Sequence, residues 1–200
     1  MDRHHFILTA AILALSILAG CNGKQQKVEF SDEDPATVDI DKNNTIFGVC
    51  GDGSAMNTLQ LIADNGDTLN LGLFDAKENK QVFGGYACGD RMAVMVNDDR
   101  TEATLVINES TLLGEWMTPN PIDCTTMYGI SIKEGGIIDG IDHSTLIYKS
   151  WRIINGQLEI TLVREGGGDE EETTRYDFVK LDGDSLIFAN DEDRYEYERR

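Results

Sequence analysis

Beyond residue 44 the chain is a succession of short apolar or alternating runs separated by Gly, Asn and Asp, and almost none of it has the period of a helix. Six runs, 45–50, 58–63, 68–74, 81–86, 91–96 and 103–107, predict six strands in the first half. Asp64-Asn65-Gly66-Asp67 joins the second to the third, because Asn-Gly tolerates the positive φ that a tight hairpin requires. Eight further runs, 114–117, 128–133, 137–141, 146–154, 157–164, 174–181, 185–189 and 194–198, predict a longer series in the second half. Asn155-Gly156 and Asp182-Gly183 are hairpin signals and Glu134-Gly135-Gly136 is a further turn, so consecutive strands there are expected to be antiparallel neighbours. The fold class is all-β.

Two bodies follow from this pattern. Residues 45–108 hold enough short strands to close into a small barrel of OB or SH3-like type. Residues 109–200 form an eight-stranded antiparallel meander, which on closing removes its exposed edges and encloses room for packed side chains or one small ligand. Which face of each strand points inward is legible only in part. Leu158, Ile160 and Leu162 share a face, whereas Leu146 to Tyr148 is apolar on both.

The start of the chain has another pattern. A short polar leader with Arg3 is followed by an apolar stretch from Phe6 to Ala19, too short to span a bilayer comfortably and of signal-peptide length. It ends in Leu18-Ala19-Gly20-Cys21, which resembles the lipobox of bacterial lipoproteins. That resemblance implies a signal peptide over residues 1–20, acylation of Cys21 with palmitate-type chains and a lipid membrane as partner. Residues 21–44 are polar, without periodicity, and read as a tether reaching about 25–30 Å. Asn22 is not the Asp that retains some lipoproteins in the inner membrane, so the expected place is the periplasmic face of the outer membrane, with the cell surface as the alternative.

The net charge is −19, and removal of residues 1–20 takes Asp2 and Arg3 together and leaves it unchanged. Such a chain is repelled by phosphate backbones and anionic headgroups, which excludes nucleic acid as a partner and leaves membrane attachment to the lipid.

At Gly114-Glu115-Trp116 the sequence resembles the Gly-x-Trp of the lipocalin-like domains found in many Gram-negative lipoproteins. Similar too are Ile147-Tyr148-Lys149-Ser150-Trp151 leading to Asn155-Gly156-Gln157-Leu158, and Tyr176-Asp177-Phe178-Val179-Lys180-Leu181 before Asp182-Gly183-Asp184. The resemblance implies that Trp116 closes the bottom of a barrel, stacked against a late arginine, Arg194 or Arg199. It also implies a small apolar or amphipathic ligand. The aromatic positions able to contact one are Tyr128, Tyr148, Trp151, Tyr176 and Phe178, although plain core packing is the simpler expectation for each, since aromatics dominate a small β core.

Catalytic chemistry is not signalled. Beyond residue 20 His143 is the one histidine, no Gly-x-Ser-x-Gly elbow is present, and no cofactor is called for. Asp39 to Asn44 begins like a calcium loop but lacks its glycine and its glutamate, and Asp169-Glu170-Glu171-Glu172 reads as a solvated hairpin tip rather than a metal site. With Cys21 lipidated, Cys50, Cys88 and Cys124 remain; Cys50 and Cys88 could pair, and buried free thiols are the simpler expectation. Three readings stand: a ligand-binding lipoprotein, a non-catalytic accessory subunit of an envelope complex, and an enzyme.

Overall fold

The computed structural model describes residues 42–120, 122–142, 146–164, 166 and 168–200. The expected signal peptide, the acylated Cys21, most of the tether and His143 lie outside them. Lys42–Arg200 is one compact unit built from two sheets, both antiparallel except for one short parallel pair in the first.

The first sheet contains β1 (Ile46–Cys50), β2 (Thr58–Ala63), β3 (Thr68–Gly72), β4 (Val82–Phe83), β5 (Arg91–Val96) and β6 (Ala103–Asn108) in the order β3-β2-β1-β5-β6-β4. It curls until the end of β3 meets the start of β6: Gly72 and Glu102 form a parallel bridge, and Gly72 N donates to Thr101 O at 2.8 Å. Five strands closed this way, with a helix between the third and fourth long strands, have the order of an OB-type barrel. Two sequence expectations are corrected here. The run 68–74 splits, because Phe74 opens helix α1 (Phe74–Glu78), which carries Ala76 into the core. The run 81–86 gives only the two-residue β4, which lies parallel to β6.

Helix α2 (Glu109–Leu112) links the sheets. Asn108 caps it, its side chain accepting from Thr111 N at 2.9 Å while donating to Gly84 O and Asp90.

The second sheet contains β7 (Gly114–Pro119), β8 (Met127–Lys133), β9 (Ile137–Ile141), β10 (Leu146–Ile154), β11 (Gln157–Arg164), β12 (Glu172–Leu181), β13 (Ser185–Ala189) and β14 (Arg194–Arg199). Their order is β10-β11-β12-β13-β14-β7-β8-β9. The meander closes its first strand onto its last through Trp116↔Arg199 and Met117↔Glu198. One expected neighbour pair is missing: β9 and β10 lie side by side without a hydrogen-bonded ladder, and the barrel is nearly closed. Trp151 bridges that gap, its indole N–H donating to Lys133 O at 2.9 Å.

The two sheets share a core. Phe83, Ala93, Ile107 and Leu112 pack in one cluster with Trp116, Ile153, Leu158, Phe178 and Leu181 of the barrel. A second cluster, including Leu59, Leu61, Leu71, Leu73 and Met92, fills the first sheet alone.

Candidate ligand site

Registers fix the two ends of the second barrel. Gly114 with Ile132, the turn Asn155-Gly156, Asp182-Gly183 and Arg199 lie at one end. The first sheet seals that end. Phe83 packs on Phe178 with ring centroids 5.7 Å apart, and Gly84 N donates to Leu181 O at 2.8 Å. Asn43 donates to Ile153 O and accepts from Asn155 N, and Thr45 Oγ accepts from Gly156 N.

Trp116 stands inside this sealed end. It is wholly buried, its indole N–H donates to Leu112 O at 2.8 Å, and the Arg199 guanidinium lies 4.1 Å from its ring centroid. Arg199 also donates to Thr111 O, Leu113 O and Gly183 O. Arg194 is instead paired with Glu196 on the surface. The glycine of Gly114-Glu115-Trp116 is dictated here: its φ is +143°, and a Cβ would meet the Arg199 guanidinium at 2.4 Å.

Of the aromatic residues singled out in the sequence, Trp151, Tyr176 and Phe178 belong to the barrel core and Tyr148 packs against it, whereas Tyr128 is in neither group. Tyr176, Phe178 and Trp151 are buried, while Tyr148 and Tyr128 are half-buried. Tyr195, Tyr197 and Phe188 join them. Tyr176 lies 5.1 Å from Phe188 and 5.6 Å from Tyr195, and Phe188 lies 5.9 Å from Tyr197. The hydroxyls pair, Tyr148 with Tyr197 and Tyr176 with Tyr195. Burial pushes Tyr148 up to about 12 and raises Tyr176, Tyr195 and Tyr197 as well. These rings occupy one another's space, which makes the upper barrel a packed aromatic cluster.

The open volume lies at the side. A cavity of about 750 Å³ sits where the unpaired β9/β10 gap meets the first sheet. Phe47, Leu113, Trp151 and Ile153 give it apolar walls, and Gly135 and Gly136 of the 3-10 turn Glu134–Gly136 form one rim. Trp151 and Ile153 are also core residues of the barrel, so one wall of this cavity is continuous with the barrel core. Polar groups surround it: Asn43, Arg91, Glu109, Ser110, Glu134 and Arg152. Arg91 gives both terminal nitrogens to Asp64, at 2.5 and 2.6 Å, and its Nε to Glu109 at 3.1 Å. Burial raises Glu109 despite that guanidinium, whereas the hydrogen bond from Arg91 holds Asp64 below the usual carboxylate range. Arg152 Nε is paired with Glu159 at 2.5 Å.

Of the residues named from the sequence, only Trp151 lines this cavity. Tyr128, Tyr148, Tyr176 and Phe178 line neither it nor two smaller surface concavities, one beside Met117 and Arg200 and one beside Ile147 and Arg164. Phe47, Arg91 and Glu109 were missed because they come from three elements far apart in sequence, and none carries a local motif. Cys50, Cys88 and Cys124 are free thiols, and Cys50 is buried while the other two are exposed. Among the described residues no group of three or more His, Cys, Asp or Glu side chains is placed to hold a metal ion.

Comparison with known proteins bears on the second sheet. Residues 108–200 match a family model described as lipocalin-like. A lipocalin-like protein from Bacteroides thetaiotaomicron VPI-5482, known from its crystal structure, is similar at 29% identity with a TM-score of 0.40, over 44% of this chain and 96% of that one. No curated protein sequence matches this chain.

Proposed function

We propose that the lipocalin-like domain of residues 108–200 gives this protein the task of holding a small amphipathic molecule, seated in the cavity beside Trp151. A lipocalin-like fold is one that suggests small-ligand binding in general. The observation that carries the placement is the cavity itself: at about 750 Å³ it has the size of a small-molecule site, with apolar walls and a few polar groups at its edge. The barrel's own rings are packed together, so the ligand enters through the β9/β10 gap rather than along the barrel axis.

The same reading includes tethering to the cell envelope through acylated Cys21, on the periplasmic face of the outer membrane. It rests on Leu18-Ala19-Gly20-Cys21 following an apolar stretch. Labelling cells with a palmitate analogue tests it: wild type incorporates the label, and Cys21→Ala does not. We read the protein as non-catalytic, because neither a triad elbow nor a cofactor motif occurs in the sequence.

Native mass spectrometry of residues 22–200, purified gently from host envelope extract, tests the binding role. A reproducible mass increment, lost on organic extraction and absent from Trp151→Ala, is the expected result. A bare mass in every preparation would favour the second reading, an accessory subunit of an envelope complex. Its supporting observation is the filled aromatic interior together with exposed Phe74, Met56 and the neighbouring pair Val49 and Ile62.

A further inference from the structure

We propose that the molecule taken by the cavity beside Trp151 is an organic cation: an amine or quaternary ammonium on an apolar body. This rests on the cavity being the ligand site and adds the chemistry of what it selects. Four charged residues line the cavity, Arg91, Arg152, Glu109 and Glu134, and their formal sum is zero. Both arginines, however, are matched by acids that do not line it. Arg91 gives its two terminal nitrogens to Asp64, and Arg152 pairs with Glu159, a carboxylate it shares with Arg175.

The lining acids have no such compensation. Glu109, with 15% of its side chain exposed, receives only the Nε of a guanidinium already engaged elsewhere. Glu134 on the rim has no ion pair among the described residues. Taken with their ion-pair partners, three arginines (Arg91, Arg152, Arg175) face four acids (Asp64, Glu109, Glu134, Glu159), a formal charge of −1, within a chain of net charge −19 that concentrates cations around it. An anion would meet two carboxylates that repel it and an Arg91 whose three nitrogens already donate to Asp64 and Glu109.

The walls agree with the charge. Trp151 and Phe47 present aromatic surface, and the ring face is the negative pole of its quadrupole. The Phe47 ring already holds a cation, the Arg91 guanidinium, at 5.9 Å. Aromatic walls with nearby carboxylates recognise alkylammonium groups by cation–π attraction and direct pairing, while Leu113 and Ile153 take the apolar body.

Three isosteric probes separate these contributions: hexylammonium, hexan-1-ol and hexanoate, each titrated into residues 22–200 by calorimetry, with the Trp151 indole N–H resonance reporting occupancy. Hexylammonium is expected to bind at least tenfold more tightly than hexanoate, with hexanol between them. Glu109→Gln is expected to weaken hexylammonium at least fivefold more than hexanol; should that variant fail to fold, Glu134→Gln is expected to give the same discrimination at about twofold. Equal binding of the three probes, or tighter hexanoate, overturns the cationic assignment and leaves the cavity as a ligand site. If none of the three moves the Trp151 resonance, the cavity reading falls, and this inference with it.

Discussion

Arg199 does several jobs from one side chain. Its guanidinium covers the Trp116 ring and donates to three backbone carbonyls, from Thr111, Leu113 and Gly183. Arg199→Ala leaves those carbonyls short of a charged donor and uncovers the indole, so a loss of about 2–4 kcal/mol is expected in urea unfolding. Arg199→Lys keeps the charge but not the planar fork and should recover only part of that loss. The tyrosines supply a second expectation. A free phenol titrates near 10, and burial holds Tyr148 at about 12. Below pH 10 this group's contribution is fully present; between 10 and 12 the unfolded chain releases the proton and the folded one keeps it. Stability therefore falls by about 1.4 kcal/mol per pH unit for this one group, and Tyr176, Tyr195 and Tyr197 are raised in the same direction. Phenolate absorbance should show these four of the six tyrosines ionising only together with loss of structure. Smooth titration of all six with the fold intact would contradict the buried cluster.

Among the elements, the turn Asn155-Gly156 is constrained both by its backbone and by its neighbours. Both residues have positive φ, +50° and +77°, and a Cβ at Gly156 would press on Leu105 and Met95 of the first sheet at 3.3 Å. Gly156→Ala should cost about 1–2 kcal/mol, from strain and from crowding between the sheets. That hairpin was legible because two adjacent residues specify it. So were the all-β class and all eight barrel strands, which follow from runs bounded by such turns. Strand faces were not legible throughout, and the reason is local. The ladder of β10 with β11 slips between Tyr148 and Ser150, so Tyr148 and Trp151, three residues apart, both join the core. A second slip, between Phe178 and Lys180, leaves Val179 outside while Leu181 returns to the core. Period-two reasoning loses its phase at each bulge, and the sequence carries no marker for either. The side cavity was less legible still. Trp151 was recognised as an aromatic, but its partners Phe47 and Glu109 reach it only through the packing of one sheet against the end of the other.

For the whole molecule, the shared core decides the unfolding behaviour. Phe83 is 4% exposed and packs on Phe178 across the junction. With Ala93, Ile107 and Leu112 contributing to the barrel's cluster, each sheet loses part of its buried surface if the other opens. Calorimetry of residues 22–200 should give one transition, with the calorimetric enthalpy equal to the van't Hoff value. Phe83→Ala should lower that single transition by about 3–5 kcal/mol without splitting it. Two resolved transitions would show instead that the barrels are independent.

The clamp at Asn43 has a mechanical consequence. It ties the first described residues to Ile153 and Asn155 through side-chain hydrogen bonds, next to one wall of the cavity. Tension applied to the preceding chain arrives at these bonds before it reaches any strand, and it loads them where β10 ends. A protein held by its leading end would thus feel a pull first at the rim of the cavity beside Trp151, and the shape of that rim would be sensitive to load.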